Sequence, residues 1–283
     1  MPVTDDGERA AAWFAGRSID DIADLAAGIS TGSAAAPAEW PKVAIEAGVV
    51  ADETEYGKLL HRAAITAAES SVEAREGATD RQLVHAIRTL DDIDRVTNEL
   101  AERVTAWAAT TTLSVEPGRS GIAALADQSA ETPVEARIVA LSAAIETLVA
   151  QREALEVEID RSMHDVAPNL TAIAGPILGA RLLSLAGDLE TLAKSPSGTI
   201  QVLGAEDALF AHLRGEAPSP KHGIIFTHPY VHETHPDDRG SAARALAGKL
   251  AIAARIDHYT GTRRPSVEAD LVERIQTIRE RRR

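Results

Sequence analysis

Residues 168–261 read PNLTAIAGPILGARLLSLAGDLETLAKSPSGTIQVLGAEDALFAHLRGEAPSPKHGIIFTHPYVHETHPDDRGSAARALAGKLAIAARIDHYTG, and this stretch decides the fold. Its first part, Leu170 to Lys194, sets Gly175, Gly179 and Gly187 among small and aliphatic residues. Glycine inside helical sequence costs about 1 kcal/mol relative to alanine, so the spacing predicts close helix–helix or helix–ligand approach. Ser195-Pro196-Ser197-Gly198-Thr199 predicts a turn that presents backbone N–H groups at a helix start, a setting suited to a phosphate. Gln201 lies one turn in, within reach of a base edge. GAEDALFAHLR then sets Leu209, Phe210 and Leu213 beside His212 and Arg214, and a loop follows with Lys221, His222, His228, His232, His235 and Arg239. Ser241 to Tyr259 predicts a helix carrying Arg244, Lys249 and Arg255 among alanines.

Upstream the pattern is more regular. Leu83, Ile87, Leu90, Ile93, Val96, Leu100, Val104 and Trp107 recur at steps averaging close to the 3.5 residues of a coiled-coil seam. Thr110 to Gly121 breaks this helix. A second begins near Thr132-Pro133, with a seam of Val134, Ile138, Leu141, Ile145, Leu148, Leu155, Ile159 and Met163 and with Arg152 at one seam position. Two such helices predict an antiparallel hairpin that pairs with its own copy along Leu90, Leu100, Leu141, Leu148 and Leu155. Asp91, Asp92 and Asp94 make a carboxylate cluster that suits a metal or acid–base site, but no histidine or glycine-rich loop lies nearby, so a solvated helix face is the expectation.

The expected fold is mainly α. A small N-terminal domain with room for an α/β arrangement covers 1–78 and a coiled-coil hairpin 79–165; an all-helical domain covers 166–263 and a basic C-terminal helix or tail 264–283.

Composition supports helices: 45% of the 283 residues are apolar but only 3% aromatic. There is no cysteine, so no disulfide or thiolate metal site is expected. No uninterrupted apolar run of about 18 residues and no signal-like start are present, which points to a cytoplasmic protein. Residues 1–160 hold 13 Lys and Arg against 29 Asp and Glu, whereas 161–283 hold 16 against 14, so the acidity lies in the first part. Only five of the 29 basic residues are lysines, a surface that suggests a halophilic, salt-rich cytoplasm. In strong salt the objection of a net charge of −14 to a nucleic-acid partner weakens.

His228, His232 and His235 raise a second reading, a metal-dependent hydrolase. Zinc needs convergent ligands, however, while Pro229 and Pro236 stiffen the loop and the H-E-x-x-H pattern is absent. Packing or RNA or protein contact is the preferred role. With no P-loop, no strand-borne G-x-G-x-x-G and no nucleophile elbow, neither catalysis nor a cofactor is expected.

GARLLSLAG, GTIQVLGAEDALFAHL, PKHGIIF and RGSAARALAGKLAIAARID, taken in this order and spacing, resemble the signature of the Nop-domain scaffolds of box C/D ribonucleoproteins, which hold the guide particle for 2′-O-methylation of ribosomal RNA. LVHAIRTLDDIDRVTNELAERVTAW and MHDVAPNL resemble more weakly that family's coiled-coil helices. The resemblance implies an all-helical domain binding kink-turn RNA with a small kink-turn-binding protein, a homodimerising hairpin, and an N-terminal domain that docks the fibrillarin methyltransferase. It implies no enzyme. By position, Arg181, Thr199, Gln201, Lys221, His222, Arg239 and Arg244 face RNA, and the helix from Ala205, with Leu209 and Phe210, faces the protein partner. Ala211, Gly198, Asp188 and Ser241-Ala242 depart from the family pattern, each removing a charge or hydroxyl or adding an acid, which implies a weaker RNA grip. The first domain is short for the family. A splicing-type assembly factor is the alternative setting for the same domain.

Overall fold

A computed structural model of the protein describes residues 12–32 and 39–281. The chain divides into two compact units, Met1–Ala78 and Thr79–Arg283.

The first unit contains helices α1 (Ile22–Thr31), α2 (Trp40–Glu46) and α3 (Glu53–Glu76). Asp21 and Asp52 cap α1 and α3 by accepting amides of their first turns. Trp13 and Phe14 lie in a turn that drives them into the core with Leu25, Val43, Tyr56 and Leu59. The Trp13 indole N–H donates to the Tyr56 hydroxyl at 3.2 Å. Among the described residues this unit has no strand, so the room left for an α/β arrangement is taken by helices.

The second unit opens with the hairpin, α4 (Thr79–Ala108) and α6 (Pro133–Val166), joined by a connection that contains α5 (Arg119–Ala126). Thr132 and Glu135 form a capping box at the start of α6, where Pro133 occupies the first turn. The seam holds for Leu83, Ile87, Leu90 and Val104, but Trp107 is exposed and Ala108 is buried in its place. A helix of 3.6 residues per turn drifts about 20° per heptad from a 3.5 repeat, so a stripe counted from Leu83 has rotated off the seam by the far end. Short α5, within a stretch expected to be mostly loop, closes that end by burying Ile122 and Leu125 against Val104, Ala108, Ile138 and Ile145.

The rest of the unit is a helical body: α7 (Pro168–Ala174), α8 (Pro176–Ala186), α9 (Leu189–Lys194), α10 (Ser197–Val202), α11 (Glu206–Leu213), a 3₁₀ turn at Ile224–Thr227, α12 (Pro229–His232), α13 (Arg239–Tyr259) and α14 (Pro265–Glu280). Gly175 and Gly187, at φ of 75° and 105°, end helices, so the stretch to Lys194 is three helices rather than one. Gly179 does serve close packing, since a Cβ there would lie 2.6 Å from the Met163 methyl carbon.

Alanine-rich α13 is the central post, with Ala242, Ala243, Ala247, Ala251, Ala253 and Ala254 all buried. Helix α14 adds Val267, Leu271, Ile275 and Ile278 to the same core. Asp257, near the end of α13, accepts hydrogen bonds from the Asn169 amide, the Asn169 side chain and the Leu170 amide at 3.0, 2.6 and 2.8 Å. Asn169 in turn accepts the Arg264 amide at 2.6 Å. Leu90 is 0% exposed in this core and offers nothing to a second copy, which corrects its place in the pairing seam. Leu100, Leu141, Leu148 and Leu155 remain half-buried.

Candidate functional site

The site is built by α10, the start of α13 and the loop returning from α11. Arg255 donates from Nε and Nη2 to the carbonyls of Ala193 and Ser195, fixing the turn that enters α10. Beyond it Gly198 and Thr199 are exposed. The returning loop is laced to α10. Gly223 N–H donates to Gln201 O at 2.8 Å, Ile224 N–H to Leu203 O at 2.7 Å, and the Gln201 side-chain amide to Lys221 O at 2.7 Å.

Between these walls lies a cleft of about 580 Å³ lined by Gly198, Thr199, Gln201, Val202, Leu209, Ser219, Pro220, Lys221, Gly240 and Arg244. The lining has two cations and no carboxylate, in a chain of net charge −14. Neither Lys221 nor Arg244 pairs with an acid among the described residues. Thr199, Gln201, Lys221 and Arg244, singled out from sequence, therefore meet in one place. Ser219 and Gly240 were not singled out, because nothing in a Ser-Pro or Arg-Gly pair marks a wall.

His222, beside the cleft, stacks on Phe226 at 4.6 Å and 22°, and the Arg239 guanidinium lies 5.3 Å from the centre of the same ring. Arg239 also donates to Thr234 O at 3.1 Å and His232 O at 3.0 Å. Burial, then the charge of Arg239, holds the His222 imidazole below its usual pKa, so the ring is neutral near pH 7. Phe226 was not singled out as a site residue, although it ends the PKHGIIF motif.

Two of the residues expected to face RNA make contacts within the chain. Arg181 does not reach the cleft. Its Nε and Nη2 bind Asp91 Oδ1 at 3.1 and 2.6 Å, while Arg88 donates to Ser184 Oγ at 3.0 Å and Arg81 to Gly187 O at 2.9 Å, pinning α8 to α4. One N–H of the Gln201 side-chain amide donates to Lys221 O. The carboxylate cluster resolves into separate pairs, Asp91 with Arg181, Asp92 with Arg95 and Asp94 with Arg152.

Helix α11 has no buried residue; Phe210 is 58% and Leu213 71% exposed, while Leu209 turns to the cleft and Ala205 is half-buried at the N-cap. Both ring nitrogens of His228 are committed, Nδ1 accepting the Tyr230 amide at 3.1 Å and Nε2 donating to Ile173 O at 2.9 Å. That makes it a cap for α12, and among the described residues no histidine or acid group is arranged to hold a metal. Asp188 caps α9 through Thr191 N–H at 2.7 Å, the role a serine fills at a helix start. Gly198 stands open, with nothing within 4 Å of a built Cβ, and Ala211 is half-buried. No single described helix is long and apolar enough to cross a membrane.

Comparison with known proteins agrees with this architecture. The family model described as "Nop: snoRNA binding domain, fibrillarin" matches residues 81–280. An uncharacterised NOP5 family protein of Methanocaldococcus jannaschii is 32% identical over 275 residues, covering 84% of this chain and 66% of its own. Nucleolar protein 58 of Candida albicans is 33% identical over 234 residues, covering 70% and 45%. The chain thus spans less than two thirds of the length of these relatives. A chain in the crystal structure of a fibrillarin/Nop5p complex is similar at TM-score 0.56 and 27% identity, with 95% of this chain and 99% of that one covered. With the matched region taking in the hairpin, the cleft and α14, this chain belongs to the Nop family, alongside the NOP5 and nucleolar protein 58 proteins.

Proposed function

We propose that the chain is a non-catalytic scaffold of a box C/D guide ribonucleoprotein for RNA 2′-O-methylation. The observation that carries this reading is the carboxylate-free cleft with Lys221 and Arg244, an anion-binding surface in an otherwise acidic protein. RNA phosphates sit against these cations and the exposed Gly198–Thr199 edge, and the His222–Phe226 stack offers a flat face for an unpaired base. The family match and the name of the fibrillarin/Nop5p neighbour support the assignment.

In this reading the RNA is a kink-turn held jointly with a small kink-turn-binding protein, which packs on exposed Phe210 and Leu213 of α11. The hairpin pairs two copies through half-buried Leu100, Leu141 and Leu148 and exposed Trp107. The Met1–Ala78 unit faces the fibrillarin methyltransferase. Lysine-poor acidity fits a salt-rich cytoplasm.

A gel-shift titration with kink-turn RNA, with and without the small protein, tests the reading. The expected result is tight binding only when both are present, weakening with salt on a shallow slope because the cleft supplies few cations. Binding that ignores both the RNA fold and the partner would overturn it.

A further inference from the structure

Lys221 is the exposed cation of the returning loop, and nothing in its own sequence neighbourhood, Pro220 on one side and His222 on the other, fixes where it stands. Three hydrogen bonds between the loop and α10 with its C-cap residue Leu203 do. The Gln201 amide holds Lys221 O at 2.7 Å, and the amides of Gly223 and Ile224 close on Gln201 O and Leu203 O at 2.8 and 2.7 Å. The approach is so close that a Cβ on Gly223 would lie 1.9 Å from Leu203 O, leaving glycine as the one residue that fits. On the other side, the Lys221 stem lies over Gly240, at 3.8–3.9 Å from a Cβ built there. The lysine is therefore seated between α10 and the first turn of α13, one turn before Arg244.

We infer that Gln201 is a positioning residue, which orients Lys221 toward the bound RNA phosphate by holding its backbone carbonyl, and is not itself the reader of a base. This rests on the scaffold reading above. Lys221→Ala is expected to weaken RNA binding about tenfold, the scale of one charge-assisted hydrogen bond, and to lower the salt slope by about 0.7–0.9, the value of one phosphate contact. If Gln201 acts through Lys221, Gln201→Met produces the same fall in affinity and in slope, and the double variant is no worse than either single one.

The test measures affinities of the four proteins for kink-turn RNA with the small partner present, over a salt series, alongside thermal unfolding. Additive losses in the double variant, or a weaker Gln201→Met complex with an unchanged salt slope, would show Gln201 touching RNA directly and overturn the inference. Should Gln201→Met unfold, Gln201→Ala measured over the same salt series decides instead; a salt slope lowered as in Lys221→Ala supports the inference, and an unchanged slope refutes it. A wild-type protein that binds no RNA would sink the scaffold reading rather than this one.

Discussion

The hairpin and the cleft handle charge in opposite ways. Along the hairpin each of Asp91, Asp92 and Asp94 finds its own arginine, and Arg152 even takes a seam position to hold Asp94 at 2.7 Å while pairing with Glu156. In the cleft, Lys221 and Arg244 line a wall with no acid. A cation neutralised by its own chain contributes to the fold, and one left unneutralised is available to a ligand. The contrast separates Arg181 from Arg244 although both look like exposed arginines on α-helices.

The largest effect should come from reversing that contrast. Lys221→Glu combined with Arg244→Glu places two acids in the cleft, and RNA affinity is expected to fall about a hundredfold or more, each contact being worth about tenfold, with the unfolding temperature unchanged. A gel shift and a thermal melt on the same sample check both halves. Next, Arg152→Ala breaks two pairs at a partly buried position and should cost about 1–2 kcal/mol in a denaturant titration while leaving RNA binding intact. Arg181→Ala, at the interface of α8 and α4, should cost about 0.5–1 kcal/mol. A tenfold loss of RNA affinity from that substitution, without loss of stability, would return Arg181 to the RNA surface.

The smallest effect separates the hairpin from α12 by pH. Glu135 accepts hydrogen bonds from Thr112 Oγ1 at 2.6 Å, Glu131 N–H at 2.9 Å and Thr132 N–H at 3.1 Å, which hold its carboxyl down to about 2 from an ordinary 4.5. The unfolded chain takes up this proton first as pH falls, so the contribution is full above about 4.5 and is lost toward about 2. His228 answers earlier. Burial lowers its pKa from 6.5, so the neutral cap is favoured in the folded chain and its contribution fades as pH drops below 6.5. Amide exchange followed from pH 7 to 4 should show α12 loosening before the hairpin tip does, and Glu135→Gln should flatten the acid limb of the melt.

Helices punctuated by proline or glycine were legible in the sequence, as was the hairpin, because apolar spacing and capping chemistry are local. Short α5 was not, since eight residues with Ile122 and Leu125 as the large apolar ones carry too little periodicity to stand out from a loop. The cleft was half legible. Residue types flagged Lys221 and Arg244, but the choice between a free and a paired cation depends on partners far along the chain. Arg181 and Asp91 are 90 residues apart, and Gln201 finds a backbone carbonyl 20 residues away, which no side-chain pattern announces.

The knot of Asp257, Asn169 and Arg264 has a consequence for synthesis. It joins the exit of the hairpin, the end of the central post and the entry to α14, so its last hydrogen bond waits on residue 264 and its last buried side chains on 267–278. During translation every cleft residue, from Gly198 to Arg244, has been made before this closure. A nascent chain can therefore expose Lys221 and Arg244 while the body beneath them is still open, and the surface acquires its final shape only when the end of α14 clears the ribosome tunnel.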